Sequence, residues 1–164
     1  MRDVFKVLGR FAGIPGDSPG HLEKWVSIAG GLLGLVAVML ISQAYLGTTG
    51  SPGLVASMGA SAVLLFAVPH GPLSQPWAVL GGHLVSALVG VACAKLIANP
   101  NLAGPLAVGL AIGAMHYLRC IHPPGGATAL SAVVGGEAVH HLGFAYVLTP
   151  VLLNATVILL AALL

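Results

Sequence analysis

The chain has 164 residues, of which 57% are hydrophobic and only 6% charged, and its mean hydropathy is +1.00. Soluble domains carry about a quarter charged residues, so this composition excludes a water-soluble globular protein and indicates an integral membrane protein. The net charge of +2 is a signal of topology and does not imply nucleic-acid binding. Cys93 and Cys120 have no metal-type spacing and are expected to be inert buried thiols.

Residues 1–24 form an N-terminal segment before the first long apolar run. A helix there would be apolar on one side and basic toward the other, with Val4, Val7, Leu8 and Phe11 against Arg2, Lys6 and Arg10. This pattern suits an interfacial helix, and a partly ordered tail ending at IPGDSPG is an equal alternative. Only Lys95 and Arg119 are basic after Lys24, so the positive-inside tendency predicts a cytoplasmic N-terminus.

Four apolar runs are long enough to cross a bilayer, which takes about 20 residues, or about 17 in shorter cases. They cover residues 25–46, 77–97, 102–118 and 142–164. Small residues recur within them at four-residue spacing, which lets membrane helices pack closely. These are Gly30 with Gly34, Gly82 with Ser86 and Gly90, and Gly109 with Gly113.

Two further apolar runs, residues 54–68 and 127–134, are shorter. At 1.5 Å per residue the second covers about 12 Å of a core about 30 Å thick, so we expect it not to cross alone. GASA at 59–62 matches GATA at 126–129, and the same offset pairs Trp77 with Phe144. The sequence therefore predicts an all-α membrane protein with four full transmembrane helices and two short helices, re-entrant or half-length, in weakly similar halves of about 25–98 and 102–164.

The candidate binding site lies where the short helices begin, which we expect near Met58 and Gly125. A helix start leaves backbone N–H groups unpaired and carries about half a positive charge, which attracts anions. In CIHPPGGATAL (120–130), the prolines end the preceding helix and the glycines allow close backbone approach. Side chains add hydroxyl and imidazole donors without any carboxylate, which favours a small anion over a cation.

The predicted substrate-binding residues come from both halves and from the second long span. They are His122, Pro123, Pro124, Gly125, Gly126 and Thr128, with Ser57, Gly59 and Ser61 as the first-half partner, and His83. His83 lies inside a full span, where polar groups are costly and often functional. An interhelical hydrogen bond for His83, and a loop-carbonyl contact for His122, are the structural alternatives.

Three stretches resemble the signatures of the HPP family of small integral membrane proteins. They are SMGASAVLLFAVP (57–69), GGHLVSALVGV (81–91) and HPPGGATAL (122–130). The resemblance covers residues 25–164, the predicted transmembrane domain, and leaves residues 1–24 outside. It implies four transmembrane helices and a transport role, and, for chloroplast and cyanobacterial relatives, nitrite transport.

From these patterns we predict a transporter or channel for a small inorganic anion, nitrite first, in the cell (inner) membrane. The protein is expected to need no cofactor, and to form a homo-oligomer that seals the short helices from lipid, because unpaired backbone must not face hydrocarbon. A structural membrane protein without transport is one alternative. Paired carboxylates, a catalytic triad, a phosphate loop and a cofactor fingerprint are all absent from the sequence, so an enzyme is not expected.

A transition-metal transporter is the other alternative. Glu137, His140 and His141 have helical spacing, and with His70 or His116 they offer carboxylate and imidazole ligands. A solvent-exposed polar loop is the preferred explanation for these residues.

Overall fold

The computed structural model describes residues 18–164, so the helix considered for the N-terminal segment lies outside the described residues. These residues are mostly helical, and no strand occurs among them. The helices are α1 (His21–Gly50), α2 (Pro52–Ala67), α3 (Pro76–Leu96), α4 (Pro100–Tyr117), α5 (Pro124–Val134), α6 (Gly136–Leu142) and α7 (Leu153–Leu163). A 3₁₀ turn (Pro72–Ser74) precedes α3, and a π-helical turn (Val147–Leu152) leads into α7.

Proline determines where α2, α3, α4 and α5 begin. Each has proline in its first turn, where the missing N–H would be unpaired anyway and the fixed φ suits a helix. The prediction that the first short helix begins near Met58 is therefore wrong, because α2 begins at Pro52. The second short helix begins at Pro124, one residue before the predicted Gly125.

Helix α1 is the most exposed long element. Only 17% of its most apolar stretch is buried, against 61% for α3. Its helical backbone is interrupted at Gly47, where φ is +67°, a left-handed conformation that favours glycine. The regular part therefore stops beside Leu46, as the sequence predicts.

Hydrogen bonds between helix ends show how the helices run. The Ser27 hydroxyl at the start of α1 donates to the Phe66 carbonyl at the end of α2 at 2.6 Å, so α1 and α2 are antiparallel. The Trp77 indole N–H at the start of α3 donates to the Leu118 carbonyl just after α4 at 3.1 Å. We call this end of the bundle the Trp77 end, and the opposite end, where Lys95 packs beside Gly143, the Lys95 end.

The two short helices, α2 and α5, lie side by side and antiparallel. The Ser57 hydroxyl lies 2.7 Å from the Pro124 carbonyl at the start of α5. Near the end of α5, a Cβ on Gly53 would lie 2.7 Å from Ser131 Oγ. The expectation that two helix N-termini converge on one ligand is therefore wrong, because the start of α2 lies beside the end of α5.

The last predicted span, 142–164, is shorter than predicted. Leu142 ends α6, and the helical stretch from Val147 to Leu163 is bent by 101° from α6. The bend occurs at Gly143, where φ is +53°. Further along, Pro150 interrupts the helical hydrogen bonds because it has no N–H to donate.

By length and apolarity, two described helices can cross a membrane, α1 and α3, or up to three if α6 and the bent segment after it form one span. Helix α4 has 18 residues and is not among them, because polar residues at both of its ends dilute its apolar centre. The structure thus confirms that the described chain is all-helical, with two or three candidate membrane spans by length and apolarity, and it does not confirm the predicted arrangement of four full spans and two short helices.

Helix α3 lies at the centre of the bundle and packs against α5 through glycine. A Cβ on Gly82 would lie 2.5 Å from His122 Cβ, and one on Gly90 would lie 2.5 Å from the Ala129 carbonyl. Close packing is therefore confirmed for the small-residue spacing in α3. A Cβ on Gly109 or Gly113 of α4 would meet no heavy atom of a neighbouring element within 4 Å, so the partner of this pair does not lie within residues 18–164.

Candidate functional site

Five polar side chains meet in the interior between α2, α3 and α5. They are Ser57, Ser61, His83, His122 and Thr128, called here the histidine cluster. All five are fully buried at 0% exposure. The sequence predicts each of them as a site residue, and the structure brings all five together.

The positions of the five follow from helix geometry. Ser57 and Ser61 are four residues apart in α2 and so share one side of that helix. Thr128 lies in the second turn of α5, beside α2. His122 approaches α3 closely because Gly82, next to His83, has no side chain to block it.

Short hydrogen bonds join the five side chains in one continuous chain. Ser57 Oγ lies 2.7 Å from Thr128 Oγ1, which lies 2.8 Å from His83 Nδ1. His83 Nε2 lies 2.8 Å from Ser61 Oγ, which lies 2.9 Å from His122 Nε2. The two imidazole rings meet edge to face, with centroids 4.9 Å apart and planes at 65°.

Each end of this chain meets a backbone carbonyl. His122 Nδ1 lies 2.8 Å from the Leu73 carbonyl, in the turn between α2 and α3, and Ser57 Oγ lies 2.7 Å from the Pro124 carbonyl. Both structural alternatives for the histidines are therefore seen: His83 bonds across helices and His122 bonds a loop carbonyl. The Leu73 carbonyl was not predicted, since a backbone acceptor leaves no sequence signal beyond the Pro- and Gly-rich loop PHGPLSQP (69–76) that holds it.

Four predicted site residues lie outside this chain of hydrogen bonds. Pro123 is exposed, and a Cβ on Gly59 would lie 4.0 Å from the Leu35 side chain of α1. The N–H groups of Gly125 and Gly126 donate to the carbonyls of His122 and Pro123, at 2.8 and 3.0 Å. The backbone donors expected to face a ligand are therefore paired within the turn in this structure.

Gly125 instead serves helix packing. A Cβ there would lie 2.6 Å from Ser86 Oγ and 3.0 Å from the Gly82 carbonyl. Pro124 contributes its carbonyl, which faces Ser57.

No charged side chain of residues 18–164 belongs to the cluster. The charged side chains that the structure describes are exposed: Glu23, Lys24, Lys95, Arg119 and Glu137. The polar interior between α2, α3 and α5 therefore consists of hydroxyl, imidazole and carbonyl groups. A ligand carrying negative charge meets no carboxylate of the described chain there.

The residues of the metal alternative do not come together in a buried cluster as the five polar side chains do. Glu137, His140 and His141 are exposed, and the His140 ring N–H donates to the Val133 carbonyl at 2.9 Å. Within residues 18–164 no three histidine, cysteine or acidic side chains lie close enough to hold a metal ion.

A second buried polar pair, Ser42 and Asn154, lies between α1 and α7. Asn154 Nδ2 donates to Ser42 Oγ at 2.8 Å between α7 and α1, so the interhelical hydrogen-bond role expected of polar residues in a span applies here. Its Oδ1 atom, like the Tyr146 hydroxyl, is buried without a hydrogen-bond partner.

These features define a multi-helix integral membrane protein with a closed, buried cluster of histidines and hydroxyls. The chain belongs to the HPP family: the HPP transmembrane region matches residues 17–164. Two Dictyostelium discoideum proteins named only as transmembrane proteins are 46% and 45% identical to it over 114 residues, 67% of this chain. The match spans 36% and 40% of the lengths of those relatives. No solved structure matches the chain.

Proposed function

We propose that the protein transports a small inorganic anion across the membrane through the histidine cluster, and that nitrite is the first anion to test. The observation that supports this is the cluster itself, in which donors from three helices meet far from every described carboxylate. Polar and ionisable groups inside a membrane are costly and tend to mark substrate paths. Nitrite comes from the family resemblance alone.

Anion binding at the cluster follows from its chemistry. Serine and threonine hydroxyls can turn their hydrogen toward an anion, and a protonated histidine offers two N–H donors and a positive charge. Hydrogen bonds to charged groups are about twice as strong as neutral ones. In the structure these donors are paired with one another, so our proposal requires α2 and α5 to separate for an anion to enter.

The path that we propose follows the interface between α2 and α5. From the Trp77 end it passes Leu73, His122 and Ser61, and then Ser57 and Thr128. One helical turn further toward the Lys95 end lies buried Ser131, packed on Gly53. Small and hydroxyl residues thus continue beyond the cluster in the same direction.

We further propose that the short helices cross the membrane rather than re-enter it, so that six segments connect the Trp77 end and the Lys95 end. Antiparallel packing of α1 on α2 and of α2 on α5 supports this. The 16 residues of α2 are about 24 Å long, which a thinned bilayer accommodates. The 11 residues of α5 are about 16 Å long, so α5 does not cross alone and connects the two ends inside the bundle, packed on α2 and α3. Four segments are then long and two short, and the halves are inverted.

This topology makes the charges consistent with a cytoplasmic N-terminus. Lys24 and Arg119 lie at the Trp77 end, and Arg2, Lys6 and Arg10 precede α1 in the sequence. Lys95 is the basic residue at the other end. We therefore propose that the Trp77 end faces the cytoplasm and that the protein is a multi-pass protein of the cell membrane.

The test of transport uses purified protein in liposomes with nitrite, nitrate, formate or chloride outside. We expect flux of one or more of these anions above that of protein-free liposomes, with nitrite among them. Zn²⁺ and Ni²⁺ are tested in parallel. Flux of a metal ion that is lost in His140→Ala, with no anion flux, would replace this proposal with the metal alternative.

We also propose a homo-oligomer that forms on α4. Gly113 has open space where a side chain would be, and membrane helices associate where small residues allow close backbone approach. Light scattering of the detergent-solubilised protein is expected to give a mass of two or more chains, reduced to one in Gly113→Trp. Leu33→Trp, at an exposed position of α1 (68% exposed), is the control and should leave the mass unchanged. A single-chain mass for the unaltered protein would contradict the proposal.

A further inference from the structure

We infer that the histidine cluster is a proton relay that stores one proton on His122 and delivers it together with the transported anion. The inference deepens the proposed function, on which its link to an anion rests. It is carried by the two directions in which the same hydrogen bonds can run, one set at each end of the chain by a carbonyl acceptor.

The assignment begins at the Leu73 carbonyl. A carbonyl only accepts, so His122 Nδ1, 2.8 Å away, carries a hydrogen and donates it. In a neutral His122, Nε2 then has no hydrogen and accepts from the Ser61 hydroxyl at 2.9 Å. Since Ser61 has spent its only hydrogen, it must accept from His83 Nε2 at 2.8 Å.

The directions of the remaining hydrogen bonds follow from these. With its hydrogen on Nε2, neutral His83 accepts at Nδ1 from the Thr128 hydroxyl at 2.8 Å. Thr128 in turn accepts from Ser57 at 2.7 Å. In the neutral state every bond between the five side chains therefore points the same way, from Ser57 toward Leu73, each histidine has one defined tautomer, and the Pro124 carbonyl receives no hydrogen from Ser57.

A second arrangement satisfies the same atoms with one additional proton. If His122 is protonated, both of its nitrogens donate: Nδ1 to Leu73, and Nε2 to Ser61. Ser61 then donates to His83 Nε2, and His83 Nδ1 donates to Thr128. Thr128 donates to Ser57, whose own hydrogen turns to the Pro124 carbonyl, which is also 2.7 Å away.

The two arrangements are connected by proton transfer alone. A proton arriving at Ser57 Oγ moves the Ser57 hydrogen to Thr128, the Thr128 hydrogen to His83 Nδ1, the His83 hydrogen from Nε2 to Ser61, and the Ser61 hydrogen to His122 Nε2. Each step breaks one O–H or N–H bond and forms another, and nothing is oxidised. No donor is left without an acceptor in either arrangement, and the arriving proton supplies the hydrogen that Ser57 Oγ then donates to the Pro124 carbonyl 2.7 Å away.

The stored charge provides the connection to an anion. The titratable groups that face His122 are His83 from α3, with ring centroids 4.9 Å apart, and Cys120 from its own loop, packed on Gly81 of α3. From α2, α5 and the turn at Leu73 it faces only hydroxyls and a carbonyl. Because every described charged side chain is exposed elsewhere, the anion itself is the counter-ion of protonated His122, and the two are carried together.

The relay is tested first through its tautomers. Nitrogen NMR of histidine-labelled protein in detergent at neutral pH is expected to show His122 with its hydrogen on Nδ1 and His83 with its hydrogen on Nε2. His122→Asn and His83→Asn assign the two signals. A His122 hydrogen on Nε2 alone, or a His83 hydrogen on Nδ1 alone, would overturn the relay whether or not the protein transports anything.

Coupling is tested in liposomes that contain a pH-sensitive dye, with nitrite or nitrate outside and the membrane potential clamped. Protein-free liposomes give the background from diffusion of nitrous acid. We expect about one proton to enter with each anion, and the ratio of protons to anions to fall about tenfold or more in Thr128→Val, which removes one hydroxyl from the chain. Thr128→Ser keeps that hydroxyl and is expected to keep the ratio.

The outcomes separate this inference from the proposed function. Anion flux in the unaltered protein without proton movement would overturn the relay and leave anion transport intact. Absence of any anion flux would refute the proposed function. The NMR measurement of the His122 and His83 tautomers would then decide whether the proton relay exists. An unchanged ratio in Thr128→Val would show that protons bypass Thr128 and would also overturn it.

Discussion

His122→Ala is expected to reduce anion flux about tenfold to a hundredfold, the largest functional effect of any single substitution. The side chain bonds Ser61 on α2 and the Leu73 carbonyl at once, and it is fully buried on the proposed path, near its Trp77 end. Loss of a hydrogen bond to a charged group costs about 1.5–3 kcal/mol, and each 1.4 kcal/mol is about a factor of ten. Uptake of nitrite into liposomes, at equal protein content, measures the loss.

His116→Ala is the matched control for this substitution. His116 is in the last turn of α4 and is exposed, so its removal is expected to leave flux within about twofold, since surface substitutions cost under about 0.5 kcal/mol. Thermal unfolding in detergent identifies a variant that has lost flux by misfolding. Equal flux in His122→Ala and the unaltered protein would place the anion path elsewhere in the molecule.

Gly90→Ala is expected to destabilise the fold by about 2 kcal/mol. The added Cβ would lie 2.5 Å from the Ala129 carbonyl oxygen and 2.9 Å from Ala129 Cα. Backbone atoms of α5 cannot rotate out of the way as a flexible side chain can, so α3 and α5 must move apart. The midpoint of thermal unfolding in detergent should fall by about 4–8 °C.

Gly31→Ala is the control for the same chemical change in a different environment. Its Cβ would lie 3.8 Å from the nearest atom, on the Phe66 ring, which is an ordinary contact. Alanine is favoured over glycine in a helix by up to about 1 kcal/mol, so this variant should unfold at the same temperature or slightly higher. A fall in the unfolding temperature as large as that of Gly90→Ala would mean that any added methyl group destabilises the bundle. The close contact of α3 with α5 would then not be the cause of the effect at Gly90.

Composition and run length predicted the class and most of the helices. The predicted runs at 25–46 and 127–134 lie within α1 and α5, and those at 77–97 and 54–68 extend one residue past the ends of α3 and α2. An apolar side chain is driven out of water whatever it later packs against. The lengths of the apolar runs therefore indicate the helices without any knowledge of tertiary contacts. Boundaries were less predictable: Pro52 and Pro124 begin the short helices, several residues before the apolar runs.

The site was predictable as a set of residues but not as an arrangement. The sequence points to Ser57, Ser61, His122 and Thr128 because they lie near the predicted starts of the short helices, and to His83 because it is polar inside a long apolar span. The backbone N–H groups of Gly125 and Gly126 were also selected as free donors, yet the turn pairs them internally. Whether a helix start is free depends on the local turn, which residue type alone does not specify.

By itself, the sequence determined that the protein is a helical membrane protein, which residues its interior keeps polar, and where glycine permits close packing. Those properties follow from the transfer of each side chain out of water and from the space that each one fills. Only the tertiary structure decided that α2 and α5 run antiparallel, that Gly143 turns the last segment through 101°, and that Leu73 orients His122. The physical reason is that helix direction and hydrogen-bond direction are set by contacts between residues about 45 to 71 positions apart, which no local pattern records.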